Sequence, residues 1–129
     1  MRLKLDPTSR DPIYRQLTEQ VERLVAGGEL VDGDKLPSVR ELALELRINP
    51  NTVARAYRDL EQEGVVVRQH GRGVFVAPRA PELNDRQRQA VLEGPVDELL
   101  LTAWKAGIDL DTVVETLRRR AAELLAKEE

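Results

Sequence analysis

Hydrophobic residues between positions 36 and 76 recur first at the spacing of helices and then in two short, valine-rich runs. Ser38 and Glu41 form a capping box at the start of the first helical segment, because each side chain can accept a free backbone N–H of the other residue. Asn49 followed by Pro50 marks a second start, since proline lacks only an N–H that would be unpaired at the first helical position. Helices this short, joined by so few residues, must cross steeply, so the pattern predicts a helix-turn-helix.

The two predicted helices each have an inward side with apolar residues at helical spacing: Val39, Leu42, Ala43 and Leu46, then Val53, Tyr57 and Leu60, stopping near Gly64. The outward side of the second helix carries Asn51, Thr52, Arg55 and Arg58. Asn and Arg can bind adenine and guanine edges through paired hydrogen bonds, and Thr can bond a base or contact a thymine methyl. Because the first residues of a recognition helix lie deepest in the major groove, these side chains are candidate base readers. The alternative is that they are only solvated surface positions.

A two-stranded ribbon is predicted after the second helix. Residues 65–68 and 74–76 have strand character, and Gly71-Arg72-Gly73 between them can turn. At its tip the ribbon would present to phosphates or to the minor groove the side chains of Arg68, His70 and Arg72. A nucleotide-binding loop is the other interpretation of Gly71-x-Gly73, and it fails because no helix follows and the third glycine of that motif is missing.

A further helix is predicted before this region. Asp11 followed by Pro12 matches an N-cap and a first helical position, and Gly27-Gly28 ends the run. Its apolar residues follow helical spacing: Ile13, Leu17, Val21, Leu24 and Val25. We expect this helix to support the DNA reader from behind, and the turn-rich residues 28–37 to form a loop or a short edge strand.

The C-terminal part predicts two more helices with apolar stripes. Asn84 or Asp85 starts the first, Gly94-Pro95 predicts a kink or a break in it, and Asp109 caps the second. The stripe of the first helix ends at Gly107 and consists of Val96, Leu99, Leu100, Ala103 and Trp104. The stripe of the second helix consists of Leu110, Val113, Val114, Leu117, Ala121, Leu124 and Leu125.

A hairpin of two such helices has too little core to be stable alone. Packing against a second copy across a two-fold axis covers both stripes and places Trp104 in the dimer core. The alternative is that the hairpin folds back on the first domain of its own chain. The run Arg118-Arg119-Arg120 is interpreted as a solvated helix face, with Arg118 pairing with an acid such as Glu115.

The net charge of −3 is unevenly distributed. Up to Pro78, 12 Arg or Lys balance 12 Asp or Glu, whereas the remainder has 8 basic and 11 acidic residues. No acidic residue lies at positions 64–81, where Arg68, Arg72 and Arg79 occur. Because affinity for phosphates depends on the local cationic surface, an acidic total permits DNA binding.

Composition excludes several classes of protein. The 129 residues suit one small domain with an appendage, and the absence of cysteine excludes disulfides and thiolate metal sites. With one histidine and no paired carboxylates in a cleft-forming context, we expect no catalytic residue, no metal site and no cofactor. No apolar run approaches the ~20 residues of a membrane span, and the N-terminus lacks a signal-peptide pattern. We therefore expect a soluble, cytoplasmic protein without a membrane partner.

Several motifs together resemble the GntR family of bacterial transcription regulators. They are Pro12-Ile13-Tyr14-Arg15-Gln16-Leu17, Leu36-Pro37-Ser38-Val39-Arg40-Glu41-Leu42-Ala43, Asn49-Pro50-Asn51-Thr52-Val53, Arg55-Ala56-Tyr57 through Leu60-Glu61, Gly64, and Gly71-Arg72-Gly73-Val74-Phe75-Val76. The resemblance spans residues 11–77, and the short remainder resembles the dimerisation tail of the YtrA-like members. It implies a mainly α fold with a small β wing, in which a winged helix-turn-helix domain at residues 1–78 precedes an α-helical dimerisation tail at residues 79–129.

The resemblance also implies a homodimer that binds a palindromic double-stranded DNA operator, usually as a repressor, with the recognition helix in the major groove and the wing in the minor groove. The resemblance implies DNA contacts for Arg40, Asn51, Thr52, Arg55, His70 and Gly71. With the residues that the sequence pattern adds, the predicted DNA-binding residues are Ser38, Arg40, Asn51, Thr52, Arg55, Arg58, Arg68, His70, Gly71 and Arg72. The implied dimerisation residues are Val96, Leu99, Leu100, Ala103, Trp104, Leu110, Val113, Val114, Leu117 and Leu124. A small-molecule effector is left open as a further partner. The alternative function is a winged-helix module for protein–protein interaction without specific DNA binding.

Overall fold

The computed structural model of the chain describes residues 1–79 and 83–125. The elements in these residues are α1 (Ile13–Ala26), α2 (Val39–Leu46), α3 (Pro50–Gln62), β1 (Val66–Gln69), β2 (Gly73–Val76), α4 (Asp85–Lys105) and α5 (Leu110–Leu124). The prediction of a mainly α fold with a small β wing is confirmed. The chain divides into two compact units, a winged unit within Met1–Arg79 and a helical unit within Ala80–Ala126. Residues 80–82 and 126–129 of the predicted tail lie outside the described residues.

The winged unit has one hydrophobic core, to which all three of its helices and both strands contribute. Its buried residues are Leu17, Val21, Leu36, Leu42, Ala43, Val53, Ala56, Tyr57, Leu60, Val66 and Val76. α1 packs against α3, which confirms its predicted role as a support. The Tyr57 hydroxyl donates to the Pro37 carbonyl oxygen at 2.7 Å, and burial raises the pKa of Tyr57.

Local capping signals fix where the helix-turn-helix begins and turns. Ser38 Oγ accepts from Glu41 N at 3.0 Å while Glu41 Oε1 accepts from Ser38 N at 3.0 Å, so the capping box is confirmed. Asn49 Oδ1 accepts from Asn51 N at 2.8 Å, and Pro50 is the first residue of α3. These two capping contacts fix the starts of α2 and α3 at the predicted residues.

The predicted start of α1 is wrong by one residue. Pro12, not Asp11, is the N-cap, and no side chain caps this helix. Gln16 Nε2 binds the carbonyl oxygens of Asp6 and Asp11, each at 2.9 Å, and so ties the N-terminal segment along the helix. These hydrogen bonds from Gln16, and not a capping side chain, hold the chain at the start of α1.

The sheet is a single antiparallel pair in which Val66 faces Val76 and Gln69 faces Gly73. Lys35 makes an isolated bridge to Phe75, and Leu36 N donates to Val74 O at 2.8 Å. The segment before α2 is therefore a loop with one strand-like contact against the wing, as predicted for residues 28–37.

In the helical unit, α4 packs against α5. α4 continues for 21 residues through Pro95, so the predicted break at Gly94-Pro95 does not occur. Proline removes the N–H that would reach the Val91 carbonyl, and Val91 is exposed, so water can satisfy that carbonyl oxygen. Asn84 and Gln87 form a capping box at its start, and Gly107 follows its end with φ +72°.

The second helix of this unit starts as predicted, because Asp109 Oδ1 accepts from Thr112 N at 2.9 Å. α5 ends at Leu124, so Leu125 is its C-cap and not a helical residue. Arg119 and Arg120 both pair with Glu123, and among the described ion pairs none joins Arg118 to Glu115. The predicted Arg118–Glu115 pair is therefore wrong, and the arginines of this run that form ion pairs are Arg119 and Arg120.

Candidate nucleic-acid interface

The outward side of α3 carries the predicted base readers. Asn51, Arg55 and Arg58 are exposed and Thr52 is half-buried, while Val53 and Ala56 face the core. The first turn of α3 contains no acidic residue. The positive end of the helix dipole therefore acts there without a competing carboxylate, which suits an anionic ligand.

Arg55 rests on an aromatic ring that the sequence did not assign to the site. Its guanidinium carbon lies 3.7 Å from the centre of the Tyr14 ring, which belongs to α1. A cation over an aromatic face is attracted by the ring quadrupole, and the contact restricts the long arginine side chain. Tyr14 thus positions Arg55, and only the spatial pairing of α1 with α3 reveals it.

The start of α2 lies beside these groups in the helix-turn-helix. Hydrogen bonds from Ser38, first from its backbone and then from its side chain, lower the pKa of the Glu41 carboxyl. That carboxylate is committed to the helix start, whereas Arg40 next to it is exposed. The Ser38 hydroxyl oxygen accepts the hydrogen bond from Glu41 N in the capping box.

The wing tip consists of His70, Gly71 and Arg72, the three exposed residues between β1 and β2. Gly71 has φ +75°, a conformation that favours glycine, so the backbone at the tip is bare. Arg68 was predicted at the wing tip, but the structure places it elsewhere. It lies within β1 opposite Val74, and its Nε is 3.9 Å from Glu61 Oε1. An exposed pair of this length contributes little, so Arg68 can exchange Glu61 for a phosphate.

Lys35 adds a cation beside the wing that the sequence analysis did not assign. A Cβ placed on Gly73 would be 3.1 Å from Lys35 Cε, so the lysine stem runs across the bare glycine backbone. The signal for this contact was the glycine itself, because an isolated glycine in a strand often marks a close approach of another group.

A second surface of the winged unit has the opposite charge. The groove between α1 and the C-terminal part of α3 is lined by Glu19, Glu22, Asp59 and Glu63, together with Tyr14, Arg15, Thr18 and Gln62. Burial, and then the charge of Glu63, raise the pKa of Glu22. Phosphates are repelled from this groove, so the charge pattern favours an approach of DNA through the start of α3 and the wing.

The helical unit exposes most of its apolar side chains. Of the predicted dimerisation residues, the exposed ones are Val96, Leu99, Leu100, Trp104, Leu110, Val114, Leu117 and Leu124. Ala103 and Val113 are already buried in the single chain, so a partner is not needed to cover them. Val91, Leu92 and Leu101 are also exposed, at positions outside the predicted stripe, so α4 shows apolar groups on more than one side.

In residues 1–79 and 83–125, no cluster of three or more His, Asp or Glu side chains is arranged to hold a metal ion. A search of the same residues for a helix long and apolar enough to cross a membrane also finds none.

The chain is similar in sequence to known bacterial proteins. A family profile described as "Bacterial regulatory proteins, gntR family" matches residues 13–76. The HTH-type transcriptional repressor YtrA of Bacillus subtilis (strain 168) is 35% identical over 122 residues, which cover 95% of this chain and 94% of YtrA. Both matches include the helix-turn-helix and the wing, and the match to YtrA also includes the helical unit.

Two solved structures are similar in fold. The crystal structure of a transcriptional antiterminator from Listeria monocytogenes EGD-e has a TM-score of 0.83 and 26% identity, covering 97% of this chain and 93% of that one. AraR(DBD) in complex with operator ORX1 has a TM-score of 0.52 and 28% identity, covering 58% of this chain and 93% of that one. The second structure shows a related fold bound to operator DNA.

Proposed function

The chain belongs to the gntR family of bacterial regulatory proteins, and from this premise we propose that it is a homodimeric repressor that binds a palindromic DNA operator. The matched relatives are transcriptional regulators and not enzymes. In this proposal residues 1–78 read DNA and residues 79–129 join two chains.

The observation that carries the proposal is the first part of α3. Asn51 and Arg55 project there from a helix whose other side is locked into the core by Val53 and Tyr57. A side chain that reads a base must be held by a rigid element, because each misplaced hydrogen bond to a base edge loses discrimination. The stacking of Arg55 on Tyr14 supplies part of that rigidity.

Other cationic and hydrogen-bonding groups would position the helix on the duplex. Ser38 and Arg40 at the start of α2 bind one stretch of backbone, and Arg58 and Arg68 supply further phosphate contacts. His70, Gly71 and Arg72 enter the minor groove, where the bare backbone of Gly71 permits close approach. Phosphate contacts of this kind fix register without carrying sequence information.

The surface of the helical unit supports the proposed dimerisation. Trp104 is 76% exposed and Leu117 is 53% exposed, which is costly for isolated chains in water. A two-fold pair of α4–α5 hairpins buries these groups and sets two reading heads in the symmetry of a palindrome. The relative YtrA is a transcriptional repressor, which supports repression over activation.

The test is an Arg55→Ala variant, measured by gel shift on duplexes selected from a random library by the wild-type protein. Loss of a paired contact to a base should cost about 1–3 kcal/mol and relax the preference at one base position. Arg15→Ala is the matched control, because Arg15 is an exposed arginine on α1 whose described partner is Glu19.

The outcomes separate the two candidate functions. Unchanged affinity and unchanged base preference in Arg55→Ala contradict the assignment of α3 as the reader. If the wild-type protein selects no duplex at all, the alternative of a protein-interaction module replaces the whole proposal. Adding candidate small molecules to the same assay tests for an effector.

A further inference from the structure

We propose that the depression between Arg40 and Arg47, on the face of α2 that leads into α3, receives one strand of the operator backbone, with Arg47 as a phosphate ligand. This inference rests on the proposed function, since it adds a contact to the same DNA complex. Arg47 was not among the residues that the sequence or the family resemblance assigned to DNA.

The first observation is the backbone of Arg47. It has φ 57° and ψ 47°, and it is the only non-glycine with positive φ among the described residues. Its N–H donates to the carbonyl oxygens of Ala43 and Leu44, so this left-handed residue ends α2 and turns the chain toward α3. Glycine is the usual residue at such a helix end because it has no Cβ to clash. An arginine kept in this conformation indicates a use for its side chain.

The second observation is the shape of the surface next to it. A single depression is lined by two arginines and four apolar residues: Arg40, Ala43, Leu44, Arg47, Ile48 and Pro50. Arg40 and Leu44 follow one another along one face of α2, and Arg47 comes directly after the end of that helix and lines the same depression. Glu41 lies about 100° round the helix from Arg40 and is held in the capping box. Leu44 is 74% exposed there.

The chemistry of this depression matches a nucleic-acid backbone. Guanidinium groups bind phosphate through two parallel hydrogen bonds, and here two of them lie at the border of one apolar floor. Deoxyribose rings between successive phosphates have apolar faces that can lie on Leu44 and Ile48. No ion pair to Arg40 or Arg47 is found in the described part of the chain, so neither guanidinium has to leave an acid first.

Its position selects DNA over a protein as the occupant. Pro50 is the first residue of α3, so the depression is continuous with the helix start that enters the groove. Arg40 already belongs to the proposed DNA contact at the start of α2. A duplex seated on α3 therefore brings a phosphate strand to this surface without any change of fold.

The test is Arg47→Gly, with duplex selected by the wild-type protein as the probe. Glycine relieves the left-handed backbone, so the thermal midpoint should stay the same or rise, while affinity falls for the selected duplex and for unrelated duplex alike. The slope of log affinity against log salt should be less steep by about 0.9, the value for one lost phosphate contact. The ratio of variant to wild-type Kd should then shrink about threefold between 50 and 200 mM salt.

Two further variants sharpen the result. Arg47→Lys keeps the charge and should keep the wild-type salt slope, and Arg15→Ala controls for the loss of any exposed arginine. Leu44→Glu puts a carboxylate on the exposed floor and should weaken binding to both duplexes without unfolding the protein.

The failure of this inference is distinguishable from failure of the proposed function. If the wild-type protein selects no duplex, the proposed function fails and this inference fails with it. If the wild-type protein selects a duplex while Arg47→Gly keeps the wild-type salt slope, only the role of Arg47 is overturned. If neither Arg47→Gly nor Leu44→Glu changes DNA binding but both change repression in cells, the depression serves a protein and not DNA.

Discussion

The winged unit and the helical unit use the same kinds of apolar side chain, but they cover them differently. In the winged unit Leu17, Leu42 and Leu60 are almost fully buried within one chain. In the helical unit Leu99, Leu101 and Leu117 are 38%, 57% and 53% exposed. The described part of the helical unit buries two hydrophobic residues, Ala103 and Val113.

This difference separates a unit that buries its apolar side chains within one chain from a unit that leaves them exposed, where the proposed dimer would cover them. The winged unit joins three helices and a ribbon, so each apolar side chain meets several layers. Two helices form a single interface and leave their remaining sides to solvent or to a partner. In the proposed dimer, each winged unit is held by contacts within its own chain, while the spacing of the two winged units is set by contacts between chains.

The largest expected effect that tests this contrast is loss of a core side chain. Leu60→Ala should lower the free energy of unfolding of the winged unit by about 2–5 kcal/mol, because a fully buried leucine leaves a cavity. The loss should not depend on protein concentration, since no second chain covers Leu60. Urea denaturation followed by circular dichroism at two protein concentrations measures both properties.

Leu117→Ala is the matched control, because Leu117 is a leucine of α5 in the proposed dimer interface that is 53% exposed in one chain. Its effect should be small in dilute protein and should grow as the concentration rises. Equal losses for both variants at every concentration would show that the two units do not differ in the way described.

The helix starts could be predicted from sequence because their causes are local. Ser38 with Glu41 and Asn49 with Pro50 act within three residues of each other, and the structure confirms both. The start of α1 was misplaced because Gln16 ties down Asp6 and Asp11 through side-chain bonds that no local pattern encodes. Of the predicted kink or break at Gly94-Pro95, the break does not occur, because an exposed helix can lose one internal hydrogen bond to water.

The candidate site divides in the same way. The outward positions of Asn51, Arg55 and Arg58 followed from helical spacing alone, although their role in binding DNA stays a prediction. Helical spacing did not predict three other features, because they depend on how the chain packs and turns in three dimensions. These are the Arg55–Tyr14 stack, the Arg68–Glu61 pair and the left-handed backbone of Arg47. Spacing identifies which side chains face outward, and packing decides what each of them touches.

The next largest effect tests the proposed interface through Trp104. Trp104→Ala should weaken dimerisation by about 2 kcal/mol, or roughly thirtyfold in Kd, because a buried tryptophan is commonly an interface hot spot. Since Trp104 is 76% exposed in a single chain, the substitution should not destabilise the monomer. Sedimentation equilibrium measures the dimer Kd.

The same residue reports on the wild-type protein, because it is the single tryptophan of the chain. Its fluorescence should shift to shorter wavelength as the protein is concentrated and the indole leaves water. Val31→Ala is the control, since Val31 is 54% exposed in the winged unit and should not affect association. A dimer that forms with an unshifted tryptophan would place the interface elsewhere.

The smallest effect compares the acidic groups at helix starts in the two units. Hydrogen bonds from Thr112, first from its hydroxyl and then from its backbone N–H, lower the pKa of Asp109, and hydrogen bonds from Ser38 lower the pKa of Glu41. A carboxyl whose pKa is lower in the folded state stabilises the fold above its ordinary value of about 4, and loses that contribution as pH falls through the folded pKa. Both units should therefore become less stable below about pH 4.

Asp109→Asn and Glu41→Gln test this directly, because each amide oxygen can still accept the backbone N–H but does not titrate. Each variant should lose stability less steeply than the wild-type protein between pH 5 and pH 3, as measured by thermal unfolding. Glu41→Gln should act on the melting of the winged unit and should not alter the dimer Kd at pH 7. Asp109→Asn should act on the helical unit, so its pH dependence should vary with protein concentration if that unit is completed by a second chain. If the pH profile of Asp109→Asn is the same at every protein concentration, the stability of α5, like that of α2, does not depend on a second chain.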